Sequence, residues 1–189
     1  MYLHLFYEAG DFFMCVYEKN KTCCFIGHRK IHKADRLIDE LHTTIIDLIV
    51  NKGVCNFLFG SRSEFNDLCL EIVSELKIEY PHIKRIYVRA EYPYIDDDYK
   101  AYLLESYDDT YYPKHIEKSG KSAYVERNID MINNSEYCIF YYDETYKPPR
   151  VRKSRRDLTE YQPKSGTKIA YEYAHEENRR VLNVHKRNT

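Results

Sequence analysis

The sequence predicts an α/β domain of three layers, in which a mainly parallel sheet of about five or more strands lies between helices on both faces. Two observations predict this fold class. Short, continuously apolar runs, typical of strands buried on both faces, alternate along the chain with longer segments of helical periodicity. Strands that alternate with helices pair in parallel, and their crossovers place helices over both faces of the sheet.

The first half of the chain contains two strand-and-helix units. Residues 22–26 form an apolar run that ends at Gly27, and apolar side chains then recur at helical spacing over residues 37–49. Residues 54–59 form a second apolar run, again followed by a glycine. Residues 65–76 show the clearest amphipathic pattern in the protein and are predicted to form a helix.

The second half continues the same order. Residues 85–89, 137–142 and 181–184 are rich in β-branched, aromatic and other apolar side chains and are predicted strands. Residues 122–134 and 166–178 carry helical patterns between them. The alternation of strand and helix thus extends over almost the whole chain.

Two segments interrupt this order. Residues 91–120 are acidic and rich in tyrosine, and residues 147–164 are basic. Segments of more than about 12–15 residues without regular structure are uncommon in compact domains and are often functional. Tyrosines under a long loop usually contribute amphipathic packing, although their rings can also stack on a nucleotide base. The tyrosines of the acidic segment are Tyr92, Tyr94, Tyr99, Tyr102, Tyr107, Tyr111 and Tyr112.

The length of 189 residues is typical of one domain. We assign residues 21–189 to that domain and residues 1–20 to an N-terminal extension, within which Met14 is an alternative start of translation. The 29 basic and 30 acidic residues give a net charge of −1, which argues against a uniformly basic nucleic-acid-binding protein. No apolar run approaches the roughly 18 residues of a membrane span.

Cysteine and histidine spacing argues against a metal site. None of the six cysteines forms a C-x-x-C pair, and the eight histidines show no ligand spacing. Five of the cysteines fall inside apolar segments, where a free cysteine behaves as a small buried hydrophobe. Free cysteines are typical of the reducing cytoplasm, so we expect a cytoplasmic protein without a metal or other cofactor.

Three turns provide a candidate binding site. In an open parallel sheet, ligands bind beyond the carboxyl ends of the strands, and backbone amides at a helix start attract phosphate. Glycine permits close backbone approach, and an arginine fork matches phosphate oxygens. Taken singly, each turn is explained as well by ordinary turn or cap chemistry, such as a capping box of Ser61 with Glu64 or an N-cap at Ser165. The residues of these turns are Gly27, His28 and Arg29, then Gly60 and Ser61, and finally Ser165, Gly166 and Thr167.

Four segments carry a resemblance to a known family. In chain order they are Cys24-Phe-Ile-Gly-His-Arg29, Phe59-Gly-Ser-Arg-Ser-Glu-Phe65, Glu126-Arg-Asn-Ile-Asp-Met131 and Lys164-Ser-Gly-Thr-Lys-Ile-Ala-Tyr-Glu-Tyr-Ala174. They resemble the SLOG superfamily, which holds the DNA-processing protein A and the Lonely-guy phosphoribohydrolases, and most of all its small YpsA/YoqJ-like bacterial branch. The resemblance spans residues 21–184 and implies a Rossmann-like domain that binds nucleotides or nucleotide-derived ligands.

The resemblance also implies roles for individual residues. In chain order these are Gly27 and Arg29 in the first phosphate-facing turn, Gly60 and Ser61 in the second, Arg127 and Asn128 in a polar wall, and Ser165, Gly166 and Thr167 in the last phosphate loop. Taken alone, consecutive polar residues in a helix, such as residues 126–128, usually form a solvated face.

The chain departs from the catalytic pattern of the Lonely-guy enzymes. Those enzymes carry Gly-Gly-x-Gly-Thr-x-x-Glu, whose glutamate serves in cleaving an N-glycosidic bond, whereas the residue three positions after Thr167 is Ala170. Glu64, Glu126 or Glu172 would supply a carboxylate only if the fold brings it to the site. The comparison with that pattern therefore favours binding over catalysis and assigns no catalytic residue. Related proteins often oligomerise, so the resemblance also implies a homo-oligomer.

Three functions follow from these expectations. The first is that of a sensor or carrier of a nucleotide or nucleotide derivative, such as ADP-ribose or a nucleoside monophosphate. The second is an N-glycosidic-bond hydrolase or transferase of the phosphoribohydrolase type. The third is single-stranded DNA binding through the basic segment with Tyr141, Tyr142 and Tyr146, although the near-neutral net charge argues against nucleic acid.

Overall fold

A computed structural model describes residues 18–32, 34–60, 62–152 and 160–185 of the chain. Apart from residues 18–20, the predicted N-terminal extension with its alternative start Met14 lies outside the described residues. The predicted site residue Ser61 and the middle of the basic segment, residues 153–159, also lie outside them.

Strands and helices alternate along the described chain, with bounds close to the predicted ones. The described helices are all too short or too polar to cross a membrane. In chain order, the elements are β1 (Thr22–Gly27), α1 (Asp35–Val50), β2 (Asn56–Phe59), α2 (Glu64–Glu79), β3 (Lys84–Val88), α3 (Asp97–Leu104), β4 (Asp109–Tyr111), α4 (Lys121–Asn133), β5 (Tyr137–Tyr141), α5 (Gly166–Glu176) and β6 (Arg180–Asn183).

The strands form one parallel sheet in the order β4–β3–β2–β1–β5–β6, which confirms the predicted α/β class. From β1 the chain winds outward through β2 and β3 to β4, and it then returns to β5 on the other side of β1. The winding therefore reverses between β1 and β5, where Gly27 lies opposite Tyr141. In doubly wound sheets, ligands bind in the crevice that this reversal opens at the carboxyl ends of the strands.

Both faces of the sheet are buried, as its continuous apolar strands predict. On one face, Phe25 and Phe59 stack with ring centres 5.0 Å apart, in a core shared with α1 and α2. On the other face, Met131 of α4 and Ala170 of α5 belong to a second core with strand side chains. Burial of apolar surface stabilises such layers by roughly 25 cal/mol per Å².

The acidic segment over residues 91–120 is not a structureless loop, which corrects the sequence prediction. It contains α3 and the edge strand β4. Asp96 caps α3 by accepting a hydrogen bond from the Tyr99 N–H at 2.8 Å, and two further aspartates in the first turn stabilise the positive helix N-terminus. β4 is three residues long and only half-buried, so it lacks the apolar run that marks a buried strand.

Candidate functional site

A large cleft opens at the carboxyl end of the sheet, at the reversal between β1 and β5. Its volume is about 1370 Å³, which exceeds the roughly 300–1,000 Å³ of most small-molecule pockets. The turns after β1, β2 and β3 line it, together with the first turns of α4 and α5. All the predicted ligand-binding residues that the structure describes line this one cleft, namely Gly27, His28, Arg29, Gly60, Arg127, Asn128, Ser165, Gly166 and Thr167.

The lining of the cleft carries many more basic than acidic side chains. Its basic residues are Arg29, Arg62, Arg89, Lys121, Arg127 and Lys164, and its carboxylates are Glu91 and Asp96. The whole chain has a net charge of −1, so cationic groups are concentrated at this site. Clefts lined by one sign of charge focus the electric field and attract ligands of the opposite sign.

Arg127 is the most deeply buried of these cations, with 2% of its surface exposed. Its Nε donates a hydrogen bond to Asn128 Oδ1 at 3.0 Å, and its Nη1 donates to the Val88 carbonyl at 3.3 Å. The guanidinium carbon lies 5.6 Å from the centre of the Tyr124 ring. Among the described residues, no carboxylate forms an ion pair with Arg127. Burial lowers the pKa of its guanidinium to about 10, so the group remains charged at neutral pH.

The burial of Arg127 corrects the expectation of a solvated face over residues 126–128. Arg127 shares one side of α4 with Ala123 and Met131, both buried, because side chains four positions apart lie above one another on a helix. The four-residue spacing from Ala123 and Met131 is the sequence signal that identifies Arg127 as inward-facing. The prediction of a solvated face considered only the polar run over residues 126–128 and did not use this spacing.

Two glycines at the strand ends are required by packing within the protein. A Cβ on Gly60 would lie 2.6 Å from Arg127 Cζ and 2.6 Å from Met131 Sδ. A Cβ on Gly27 would lie 2.4 Å from the Phe65 ring. Gly60 therefore makes room for the guanidinium, and Gly27 makes room for the aromatic ring. The groups that approach the backbone closely at these two glycines are therefore side chains of the protein itself.

The N-terminus of α5 adjoins open space in the cleft. Ser165 caps the helix by accepting a hydrogen bond from the Lys168 N–H at 3.0 Å, which confirms the predicted N-cap. A Cβ on Gly166 would meet no atom within 4 Å. The positive end of the α5 dipole therefore borders a volume that an anion can enter.

His28 lines the cleft, but its acceptor nitrogen is used within the protein. Its Nε2 accepts a hydrogen bond from the Asp143 N–H at 3.0 Å, and its backbone N–H donates to the Tyr141 carbonyl at 3.2 Å. His28 thereby links the ends of β1 and β5. Burial lowers its pKa, which favours the neutral ring that accepts this bond. Arg29, next in the chain, is exposed and lines the cleft.

The carboxylates considered from the sequence do not line the cleft. Glu64 accepts a hydrogen bond from the Ile31 N–H at 3.0 Å, and Glu126 accepts from two backbone N–H groups of the preceding loop. Glu172 forms an ion pair with Lys164 at 2.7 Å. Each of these carboxylates is thus held by other protein groups, and none of the three lines the cleft.

The predicted capping box of α2 is wrong. Ser63, not Ser61, is the N-cap of this helix, and its hydroxyl oxygen accepts a hydrogen bond from the Asn66 N–H at 3.2 Å. Glu64 is therefore the first helical residue rather than the third, and its side chain reaches out to the turn after β1.

The acidic segment supplies the carboxylates that do reach the cleft. Glu91 accepts a hydrogen bond from the Tyr124 hydroxyl, and Asp96 is the cap of α3. The exposed rings of Tyr92 and Tyr94 line the cleft beside them. Sequence reasoning missed the carboxylates because it treated the segment as an interruption between elements rather than as the continuation of β3.

Other tyrosines are packed within the protein. The Tyr107 ring centre lies 5.1 Å from that of Tyr87, and the Tyr111 hydroxyl donates to Asp130 at 2.8 Å. Tyr141 and Tyr142 are buried, which removes two of the rings considered for stacking on single-stranded DNA: of that set, only Tyr146 is exposed.

The described ends of the basic segment also contribute to the cleft. Val151 and Tyr161 pair as a short antiparallel bridge, and both residues line the cleft. Arg152 forms an ion pair with Glu160 at 3.6 Å, so part of the basic charge is compensated within the segment.

The fold and the cleft define a class: a doubly wound parallel α/β protein with a cationic cleft at the reversal of its sheet. No protein-family model matches the chain, and a comparison with curated proteins returns no match. Among the described residues, no group of three or more histidine, cysteine, aspartate or glutamate side chains is placed to hold a metal ion.

Proposed function

We propose that this protein binds a nucleotide or nucleotide derivative in the cleft, as a cytoplasmic sensor or carrier. The observation that carries the proposal is the charge of the cleft at the reversal of a doubly wound sheet: its described lining has six basic side chains, of which Lys164 is paired with Glu172, against two carboxylates. The Arg29 fork and the N-terminus of α5 match the phosphate of such a ligand. The resemblance to the SLOG superfamily stays a prediction and favours the same class of ligand.

Tyrosine side chains favour a nucleoside rather than phosphate alone. Tyr92 and Tyr94 line the cleft with 63% and 80% of their surfaces exposed, so both rings are accessible to a base. Stacking of a base on an aromatic ring contributes about 1–3 kcal/mol. The volume of about 1370 Å³ accommodates a base, a sugar and more than one phosphate.

Thermal unfolding with AMP, ADP, ADP-ribose, NAD and cyclic nucleotides tests the proposal. At hundredfold excess over its Kd, a specific ligand adds about 2.7 kcal/mol of stability, which raises the Tm by roughly 5–11 °C at this chain length. We expect Arg29→Ala to lose most of this shift. Arg180→Ala is the matched control. Arg180 begins β6 and therefore lies at the amino ends of the strands, away from the cleft at their carboxyl ends. A panel in which no nucleotide raises the Tm would contradict the proposal.

A second candidate function, cleavage or transfer at an N-glycosidic bond, is favoured by one observation. Glu91 lines the cleft and accepts a hydrogen bond from the Tyr124 hydroxyl, so the proposed nucleoside site contains a carboxylate. Carboxylates at glycosidic bonds act as nucleophile or as base toward water. We would incubate the protein with the same nucleotides and measure free base. Release that is lost in Glu91→Gln supports this activity, and no release from any nucleotide excludes it for these substrates.

A further inference from the structure

We propose that the cleft contains a second, buried anion subsite formed by Arg89 and Arg127, and that the natural ligand therefore carries two separate anionic groups. The inference rests on the proposed function and specifies its ligand class. The first subsite, at Arg29 and the α5 N-terminus, receives one phosphate. The second receives another anionic group on the far side of the nucleoside.

Arg127 supplies a fixed cation to the buried subsite. Its guanidinium lies against the Cα of Gly60 and donates to the Val88 carbonyl, so it is held where β2 and β3 end. Its hydrogen bonds to Asn128 and Val88 use two of the five N–H donors of the group. A buried charge is costly unless it is compensated, and no described carboxylate compensates this one.

Arg89 follows β3 directly and adds a second cation. Its Nη1 donates to the Tyr92 carbonyl at 2.7 Å, and its guanidinium carbon lies 5.9 Å from the Tyr112 ring centre. Its Nε is buried and has no hydrogen-bond partner among the described residues. Arg89 lines the cleft and forms no ion pair with a described carboxylate, so it adds a second positive charge to the lining.

The carboxylates of the cleft do not compensate these arginines. Glu91 accepts from the Tyr124 hydroxyl, and Asp96 accepts from a backbone N–H of α3. Neither forms an ion pair with Arg89 or Arg127. Both guanidinium groups therefore keep their positive charge for an anionic group of the ligand.

The order of the strands separates the two subsites. Arg127 lies at the end of β2, whereas α5 begins beyond β5, and β1 lies between those two strands. Neighbouring strands lie roughly 4.8 Å apart, so the end of β2 is about 5 Å from the end of β1, which carries Arg29, and about 10 Å from the end of β5. Neighbouring phosphates of a single diphosphate are too close together to fill both. The geometry thus favours a nucleoside that carries anionic groups on opposite sides, such as a bisphosphate or a phosphorylated dinucleotide.

Matched ligand pairs test this inference by calorimetry. The pairs are AMP with adenosine 3′,5′-bisphosphate, and NAD with NADP, each measured with the unmodified protein, Arg127→Met, Arg89→Met and the control Arg180→Met. We expect at least one pair to show about tenfold or tighter binding of the member with the additional phosphate, because a charge-assisted hydrogen bond is strong. Both cleft variants should reduce this ratio toward one, while Arg180→Met should preserve it.

The outcomes separate this inference from the proposed function. Binding of AMP or NAD without any gain from the second phosphate would overturn the buried subsite and leave the proposed function standing. A gain that survives both arginine variants would overturn the subsite as well. The absence of binding by every nucleotide would overturn the proposed function, and the inference with it. Arg89→Met provides the decisive comparison if Arg127→Met does not fold, since Arg89 is only half-buried.

Discussion

Arg127 is a charged residue buried at the proposed binding site. Its guanidinium is almost fully buried, is held by a neighbouring amide and a strand carbonyl, and has no carboxylate partner among the described residues. Replacement of buried charged groups by apolar side chains of similar volume is often neutral or stabilising. The free energy of unfolding of the ligand-free protein is therefore expected to be lower than with an apolar side chain of similar volume at position 127.

We predict that Arg127→Met raises the free energy of unfolding of the ligand-free protein by about 1–2 kcal/mol, because it removes an uncompensated buried charge. Urea denaturation measures the change. Arg85→Met is the matched control. Arg85 is also partly buried, but Asp108 pairs with it at 3.1 Å, so removal of the Arg85 guanidinium should lower the free energy of unfolding. A destabilised Arg127→Met variant would show that the guanidinium contributes more through its hydrogen bonds than its burial costs.

At the scale of elements, the edge strand β4 depends on one carboxylate. Asp108, directly before β4, accepts hydrogen bonds from the backbone N–H of Arg85 at 2.8 Å and from its Nε at 3.1 Å. Lys77 of α2 approaches the same carboxylate at 3.3 Å. Burial alone would raise the pKa of Asp108, but the bonds and charge from Arg85 hold it below its ordinary value. This cluster joins β4 to β3 and to α2.

We predict that Asp108→Asn lowers the free energy of unfolding by about 1 kcal/mol, because the charge-assisted bonds to Arg85 are weakened. Hydrogen exchange should accelerate most at residues 109–111 of β4 and little at residues 137–141 of the interior strand β5. Asp39→Asn, on the exposed side of α1, is the control. Equal acceleration across both strands would mean that Asp108 does not stabilise the edge locally.

The elements differ in how much of them a sequence can reveal. β1 and β2 are predictable because both faces are buried, so their apolar runs are continuous. β4 is not, since an edge strand of three half-buried residues carries no such run, and its register depends on partners in β3. α4 is predictable as a helix, but the inward position of Arg127 depends on its spacing from Ala123 and Met131.

The same contrast holds for the site. The turns at Gly27, Gly60 and Ser165 are predictable because parallel strands bring their carboxyl ends to one edge. Arg89 ends the predicted strand 85–89, so the same rule applies to it, although it was not among the predicted site residues. Glu91 is not predictable, because its place in the cleft follows from the path of the chain after β3, which no local pattern encodes.

At the scale of the whole molecule, His28 joins the two halves of the doubly wound sheet. Its Nε2 can accept the Asp143 N–H only while the ring is neutral, and burial lowers its pKa in the folded state. The unfolded chain takes up this proton near the ordinary pKa of 6.5, whereas the folded protein resists protonation to a lower pH. The unfolded state therefore binds more protons in that window, and stability falls as the pH drops below about 6.5.

We predict a lower free energy of unfolding at about pH 5.5 than at about pH 7.5, and a smaller difference in His28→Gln. The glutamine oxygen can still accept the Asp143 N–H, but it does not titrate. His82→Gln, in the exposed turn between α2 and β3, should keep the full difference. Denaturant titrations at both pH values measure the effect, and an unchanged difference in His28→Gln would assign it to other groups.

The contact between Gly60 and Arg127 also constrains how this protein can evolve. Any side chain at position 60 would occupy the volume of the Arg127 guanidinium and come equally close to Met131 Sδ, so a substitution there requires these two α4 side chains to shift or to be replaced. Positions 60 and 127 are therefore expected to change together, although Gly60 follows β2 and Arg127 lies in α4. In any descendant of this chain, the identities of these two residues alone would show whether the buried cation has been retained or lost.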